Sequence, residues 1–203
     1  MSELRLAVPD RSAEIVRKTK ETDIRLVLGI DGDGRSSVQT GVGFLDHMLD
    51  GFARHGSCNL EVRCEGDRHV DDHHSTEDVG ICLGLAIDQA LGDRAGIRRF
   101  GHAILPMDEA LVLCAIDLGG RPFFSWEASL PTPKVGTFDT ELVPEFWRSV
   151  ATLGRMNLHV RLLSGSNSHH VIEAIFKGLA RALRDAWEPD PRCGGIPSTK
   201  GSL

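Results

Sequence analysis

At Ile24, Leu26, Leu28 and Ile30 every second residue is apolar, the period of a half-buried strand. Asp31-Gly32-Asp33-Gly34 follows as a turn, and Ser36 to Thr40 is expected to return as a second strand. The period then lengthens. Met48, Leu49 and Phe52 stand at helical spacing and place a short helix over Asp46 to His55. Asn59 to Cys64 is another strand, and Val79, Cys82, Leu83, Ala86 and Ala90 mark one face of a longer helix. The same order recurs downstream. Leu111 to Ile116 and Leu158 to Leu163 are strands, Leu142 to Leu153 is a helix, and Ile172, Ile175, Phe176, Leu179, Ala182 and Leu183 line a long one. Gly92, Pro189 and Pro191 follow the long helices and stop them.

Residue identities repeat along with the pattern. Ile30-Asp31-Gly32-Asp33-Gly34-Arg35 is similar to Ile116-Asp117-Leu118-Gly119-Gly120-Arg121, and Asn59-Leu60-Glu61-Val62-Arg63 to Asn157-Leu158-His159-Val160-Arg161. His73-His74-Ser75-Thr76-Glu77 is similar to His169-His170-Val171-Ile172-Glu173. Strand and turn composition could produce the first two matches, but not the third. The expected fold is α+β: an internally duplicated domain of two similar halves, with β-sheets packed on helices. The whole chain, 1–203, reads as one domain with pseudo-repeats over about 17–96 and 97–191.

Composition narrows the function. The 203 residues are 41% hydrophobic and 26% charged with a net charge of −6, so no basic face invites nucleic acid or an anionic membrane. No apolar run approaches the length of a membrane span, and Met1 to Lys20 holds no apolar signal core, which points to the cytoplasm. Five scattered cysteines, none in a Cys-x-x-Cys pair, read as reduced thiols rather than a thiolate metal site.

Histidine carries the chemistry. At the start of a helix, residues four apart share a face, so His73 and Glu77 can grip one ion, as can His169 and Glu173. His74 and His170 leave about 100° away and would serve a different ion. Counted back from the matched Asn59 and Asn157, His47 falls opposite Glu145, each on a short helix. Two sets of four follow: His47, His74, His169 and Glu173; and His73, Glu77, Glu145 and His170. Mixed imidazole and carboxylate donors suit Mn²⁺, Fe²⁺ or Zn²⁺. His159, between Leu158 and Val160 in a strand, is read as structural, and His55, His69 and His102 as structural or surface residues. Asp31-Gly32-Asp33-Gly34 is no calcium loop, because Arg35 stands where a third oxygen ligand is needed. Gly41-Val42-Gly43 lacks the third glycine of a dinucleotide loop.

Other groups could hold a substrate. Helical spacing puts Lys177 beside Glu173 and His169. Arg98, Arg99 and Arg121 offer bidentate anion recognition. Gly194 to Gly201, with Ser198, Thr199 and Lys200, can either wrap a phosphate or trail as a tail.

Four segments carry a resemblance. Gly43-Phe44-Leu45-Asp46-His47-Met48-Leu49, Asp71 to Asp78, Ser168 to Ala174 and Pro197 to Gly201 are similar to the signatures of imidazoleglycerol-phosphate dehydratases, over nearly the whole chain from about Arg17. The resemblance implies a lyase of histidine biosynthesis that dehydrates D-erythro-imidazole-glycerol phosphate to imidazole-acetol phosphate. It implies two Mn²⁺ ions per subunit and a homo-oligomer of 24 subunits with metal sites at subunit contacts. It implies ligation by His47, His73, His74, Glu77, His169, His170 and Glu173, with Glu145 where the family often has histidine. Glu21 matches a family acid/base. Arg99, Arg121, Lys177, Ser198, Thr199 and Lys200 fall where the family contacts substrate or phosphate, which makes 192–203 a substrate loop. Donor residues alone leave room for a di-metal hydrolase or a non-catalytic metal-binding protein.

Overall fold

A computed structural model describes residues 11–201, so Met1 to Asp10, Ser202 and Leu203, which fall within the expected domain, signal-free N-terminus and C-terminal loop, lie outside the described residues. The first half runs β1 (Ser12–Lys18), β2 (Thr22–Gly29), β3 (Ser36–Gln39), α1 (Gly43–Gly56), β4 (Asn59–Gly66) and α2 (His73–Leu91). The second runs β5 (Phe100–Met107), β6 (Ala110–Asp117), β7 (Phe123–Glu127), the small hairpin β8 (Lys134–Val135) and β9 (Phe138–Asp139), α3 (Leu142–Leu153), β10 (Asn157–Ser164) and α4 (Ser168–Trp187). Each half forms a four-stranded sheet, ordered β1-β2-β4-β3 and β5-β6-β10-β7. Ile24, Leu26 and Leu28 of β2 and Val112, Cys114 and Ile116 of β6 are buried, so the alternating residues face the helices. The chain is a duplicated α+β fold with two similar sheets packed on helices.

Two expectations are corrected by the strand pairing. Ser36 to Thr40 does not return beside the first strand. β3 crosses over and runs parallel to β4 at the far edge of the sheet, with Val38 opposite Val62. Period alone reports which face a strand buries, not which neighbour it takes. The repeat is also set two residues away from the match of Ile30 with Ile116. Gly29 pairs with Asn59 and Asp117 with Asn157, so Leu28 takes the place of Ile116 and Glu21 that of Glu109. Strands β1, β5 and β7 extend the predicted set.

The halves interlock through their helices. α2 lies on its own β1, β2 and β4 but also packs along α3, and α4 lies on β5 and β6 but packs along α1. Close approach requires glycine. A Cβ at Gly80 would lie 2.7 Å from Phe146 O, and one at Gly84 2.8 Å from Val150 O. Between the helix layers Phe52, Phe146, Trp147 and Phe176 are buried against one another, with the Trp147 and Phe176 centroids 4.9 Å apart. Buried Arg94, in the link after α2, donates to the carbonyls of Leu118, Gly154 and Arg155 at 3.0, 3.0 and 2.9 Å and pairs with Asp88. It ties the link to the end of α3.

Candidate active site

The exchange of short helices assembles the first cluster. α1 brings His47 to His169 and Glu173 on the first turns of α4, and the ligand atoms of the three lie within 4.8 Å of one another. His47 Nε2 and His169 Nε2 are 3.6 and 3.1 Å from Glu173 Oε2. Local chemistry fixes each element. The Asp46 carboxylate accepts the Thr40 backbone N–H at 2.8 Å, setting the start of α1. The Asn167 side chain caps α4 by accepting from the N–H groups of His169 and His170 at 2.9 and 3.4 Å. Phe44 packs edge-on against the His169 ring, centroids 5.2 Å apart. Lys177 donates to Glu173 Oε1 at 2.7 Å. Burial would raise the Glu173 carboxyl, but Lys177, His169 and His47 together hold it below its ordinary value.

The other predicted ligands do not all join this cluster within one chain. His73 Nε2 faces Glu77 Oε2 at 3.7 Å across one turn of α2. Glu145 sits on α3, which packs on α2, but both its oxygens accept from Arg148 Nη1 at 2.9 Å. The predicted sets of four are therefore divided: His47 meets His169 and Glu173, and His73 meets Glu77, while His74 and His170 leave their helices on another side. Each of these last two stands between two carboxylates. His74 Nδ1 is 3.1 Å from both Asp67 oxygens, and its Nε2 is 4.0 Å from Glu21 Oε1. His170 Nδ1 is 2.7 Å from Glu109 Oε2, and its Nε2 is 3.6 Å from Asp108 Oδ2. The hydrogen bonds to Asp67 and Glu109 raise the pKa of His74 and His170 respectively. His170, followed by the backbone N–H groups of Asn167 and Ser166, pushes Glu109 down to about 2. Sequence reasoning missed Asp67, Asp108 and Glu109. The β5–β6 hairpin turn at Asp108-Glu109 was the signal that would have found two of them.

Glu21 projects from the β1–β2 turn. Thr19 Oγ1 accepts the N–H groups of Glu21 and Thr22 at 3.1 and 3.0 Å, and the Asp67 N–H donates to Glu21 O at 3.0 Å. Buried Asp78 of α2 accepts the Thr22 hydroxyl at 2.5 Å and pairs with Arg17, so the turn is tied to the helix that carries His74.

The expected anion-binding groups gather elsewhere. Arg99, Arg121, Ser198, Thr199 and Lys200 line one cleft of about 670 Å³ with Phe100, Gly119 and Pro197. Arg99 is braced there. Its Nε and Nη2 donate to Asp117 at 2.7 and 3.1 Å, its Nη1 donates to Pro197 O at 2.8 Å, and its guanidinium lies 4.7 Å from the Phe100 ring centre. This holds the C-terminal run against the second sheet. Lys177 lies apart, in the Glu173 cluster, and Arg98 pairs with Glu188 at 3.4 Å.

Of the remaining histidines, His159 departs from the expectation of a structural residue. It is exposed on β10 against Phe123, because odd positions of that strand face away from the helices. His69 and His102 are exposed, and His55 is half-buried, its pKa lowered by burial and by Lys177 and Arg181. All five cysteines are free, four of them buried. No helix among the described residues is long and apolar enough to cross a membrane.

Fold and site together define a duplicated α+β enzyme that presents paired imidazole–carboxylate clusters at its helix starts and a separate cationic cleft. A family model described as imidazoleglycerol-phosphate dehydratase matches residues 40–183. The dehydratase of Jannaschia sp. (strain CCS1) is 59% identical over 194 residues, covering 95% of this chain and 100% of its own length. That of Rhodopirellula baltica is 55% identical over 193 residues, covering 95% of this chain and 96% of its own. The crystal structure of the Staphylococcus aureus N315 dehydratase has a TM-score of 0.81 at 41% identity, covering 88% of this chain and 99% of that one. The Pyrococcus furiosus structure, in complex with (S)-C348, has a TM-score of 0.80 at 37% identity and covers 93% and 100%. The chain belongs to the imidazoleglycerol-phosphate dehydratase family and is a dehydratase, an enzyme of the lyase class. Family membership sets aside the hydrolase and storage readings.

Proposed function

We propose that the chain converts D-erythro-imidazole-glycerol phosphate to imidazole-acetol phosphate using two Mn²⁺ ions held by His47, His73, His74, Glu77, Glu145, His169, His170 and Glu173. The carrying observation is the convergence of the His47, His169 and Glu173 donor atoms within 4.8 Å of one another. Two imidazoles beside a carboxylate held below its ordinary pKa form the mixed donor set that such ions take. When bound, the ions supply Lewis acidity toward the substrate imidazole and an adjacent oxygen.

The chain's own groups do the rest. Arg121, Lys200 and the Ser198 and Thr199 hydroxyls bind the phosphate, in a cleft whose shape Arg99 maintains through Asp117 and Pro197. Glu21 takes the proton from the substrate carbon next to the departing hydroxyl, and the enol left by loss of water becomes the ketone. Such positioned proton transfer contributes typically about 10²–10⁴-fold. Lys177 neutralises Glu173 and fixes its second oxygen.

His74 with Glu21 stands apart from the His47 cluster within one chain, so a full set of four requires a second copy. Val16 and Ile104, at matching places on β1 and β5, are 69% and 60% exposed, which supports association of copies through these faces. We assign the chain to a homo-oligomer, of 24 subunits by family resemblance, acting in the cytoplasm.

The test uses the purified chain, stripped with chelator and reloaded with Mn²⁺, with imidazole-glycerol phosphate as substrate. Ketone formed only after reloading is the expected result. Equal turnover by the stripped protein would refute the metal requirement.

A further inference from the structure

We propose that Asp67 and Glu109 are positioning residues that hold the Nδ1–H of His74 and His170, turning each Nε2 lone pair outward for a metal ion. The inference rests on the two-metal reading above. A neutral imidazole has one N–H and one lone pair, and the partner of one nitrogen decides the role of the other. An ionised carboxylate can only accept, so the 3.1 and 2.7 Å contacts place the ring proton on Nδ1 in both histidines. In the neutral ring that a metal binds, Nε2 is then the nitrogen left with a free lone pair. The carboxylates near them, Glu21 and Asp108, stand at 4.0 and 3.6 Å, beyond hydrogen-bond reach.

The two contacts are not copies of one another. Counted along β4 and β10 from Asn59 and Asn157, Asp67 falls opposite Gly165, which has no side chain to offer. In the second half Glu109 reaches across from the β5–β6 turn instead. The place of Glu109 in the first half belongs to Glu21, which faces Nε2 rather than Nδ1. Duplication alone would have repeated one solution. The same ring contact reached from two unrelated positions points to a requirement for the contact itself. Glu109 is in turn held by its other oxygen, which accepts the N–H groups of Ser166 and Asn167 at 3.2 and 2.8 Å.

Asp67→Asn and Glu109→Gln test this. Each keeps the size of the side chain but can present an N–H to Nδ1, which drives the ring proton to Nε2, where a metal must bind. Mn²⁺ binding to the metal-free full chain is read by the electron paramagnetic resonance of free Mn²⁺. Wild type is expected to bind two ions per chain. Each variant should keep one as tight as before and bind the other about 10–100-fold more weakly. The ¹⁵N spectrum of the metal-free, histidine-labelled protein should show one ring moving its proton from Nδ1 to Nε2, at an unchanged melting temperature. Variants that bind both ions as tightly as wild type would overturn the inference while leaving the two-metal reading intact. So would a loss of affinity matched by a fall in the metal-free melting temperature, which would make the carboxylates ordinary braces of the fold. A wild type that binds no Mn²⁺ would overturn the two-metal reading and this inference with it.

Discussion

Glycine-to-alanine substitution should change stability in opposite directions at two helical sites. Gly84 lies where α2 touches α3, and a Cβ there would meet Val150 O at 2.8 Å, Gly154 N at 2.9 Å and Leu153 Cβ at 3.0 Å. Two of these three atoms are backbone and cannot rotate away. Ordinary carbon contacts lie at about 3.5–4.0 Å, so the helices must part by roughly half an ångström. Forcing extra volume into a packed interface costs about 1–3 kcal/mol, and two backbone contacts below 3.0 Å put Gly84 at the upper end, about 2–3 kcal/mol. Alanine's better helix propensity offsets about 1 kcal/mol of that, leaving a net loss of about 1–2 kcal/mol. At Gly51, inside α1, an added Cβ meets nothing within 4 Å among the described residues, and only the propensity gain remains. For a chain of this length 1 kcal/mol moves the melting temperature by about 2–4 °C. G84A should therefore melt about 2–8 °C below wild type and G51A about 2–4 °C above it. Calorimetry on the metal-free protein at one fixed concentration keeps metal and subunit mass action constant. A G84A protein as stable as wild type, or shifts of the same sign in both, would refute the account of a glycine-dependent helix contact.

Two further outcomes follow from the site and the core. Burial pushes the Cys58, Cys82 and Cys114 thiols up to about 12 and raises Cys64, so they stay protonated and shielded at pH 8; a thiol reagent should titrate one cysteine quickly, the half-exposed Cys193, and the other four only after denaturation. Glu21→Gln should leave metal content intact while lowering turnover by about 10²-fold or more, and unchanged turnover would remove Glu21 from proton transfer.

What the sequence disclosed followed the range of each signal. α3 spans Leu142–Leu153 as its apolar spacing predicts, and the repeated His-His-x-x-Glu spacing marks the first turns of α2 and α4. Those features are local. β5 escaped notice because Phe100 and Ile104 are exposed while Gly101 faces α4, where a Cβ would lie 1.9 Å from Ala182 O. These outer apolar residues alternate with the inward-facing Leu105 and Met107, so no period of two stands out. β7 is a five-residue edge strand rich in aromatics on both sides. The ligand grouping needed the crossing of α1 onto α4, a contact between halves that no window of the sequence contains. Asp67 and Glu109 escaped for a related reason, since each reaches its histidine from a loop seven or more positions away.

The crossing of the short helices also bears on how the chain comes to be folded. Neither sheet covers its long helix alone, since α2 waits for α3 and α4 waits for α1. The first half leaves the ribosome with the side of α2 that meets α3 uncovered and must keep that surface until more than fifty later residues arrive. Contacts of such long sequence separation slow folding and tie both halves into a single cooperative event. Cut in the Gly92–Gly96 link, the two pieces should stay unfolded apart and recover structure only when mixed. An ancestral single half would have met the same need by pairing with a copy of itself, each lending the other its short helix.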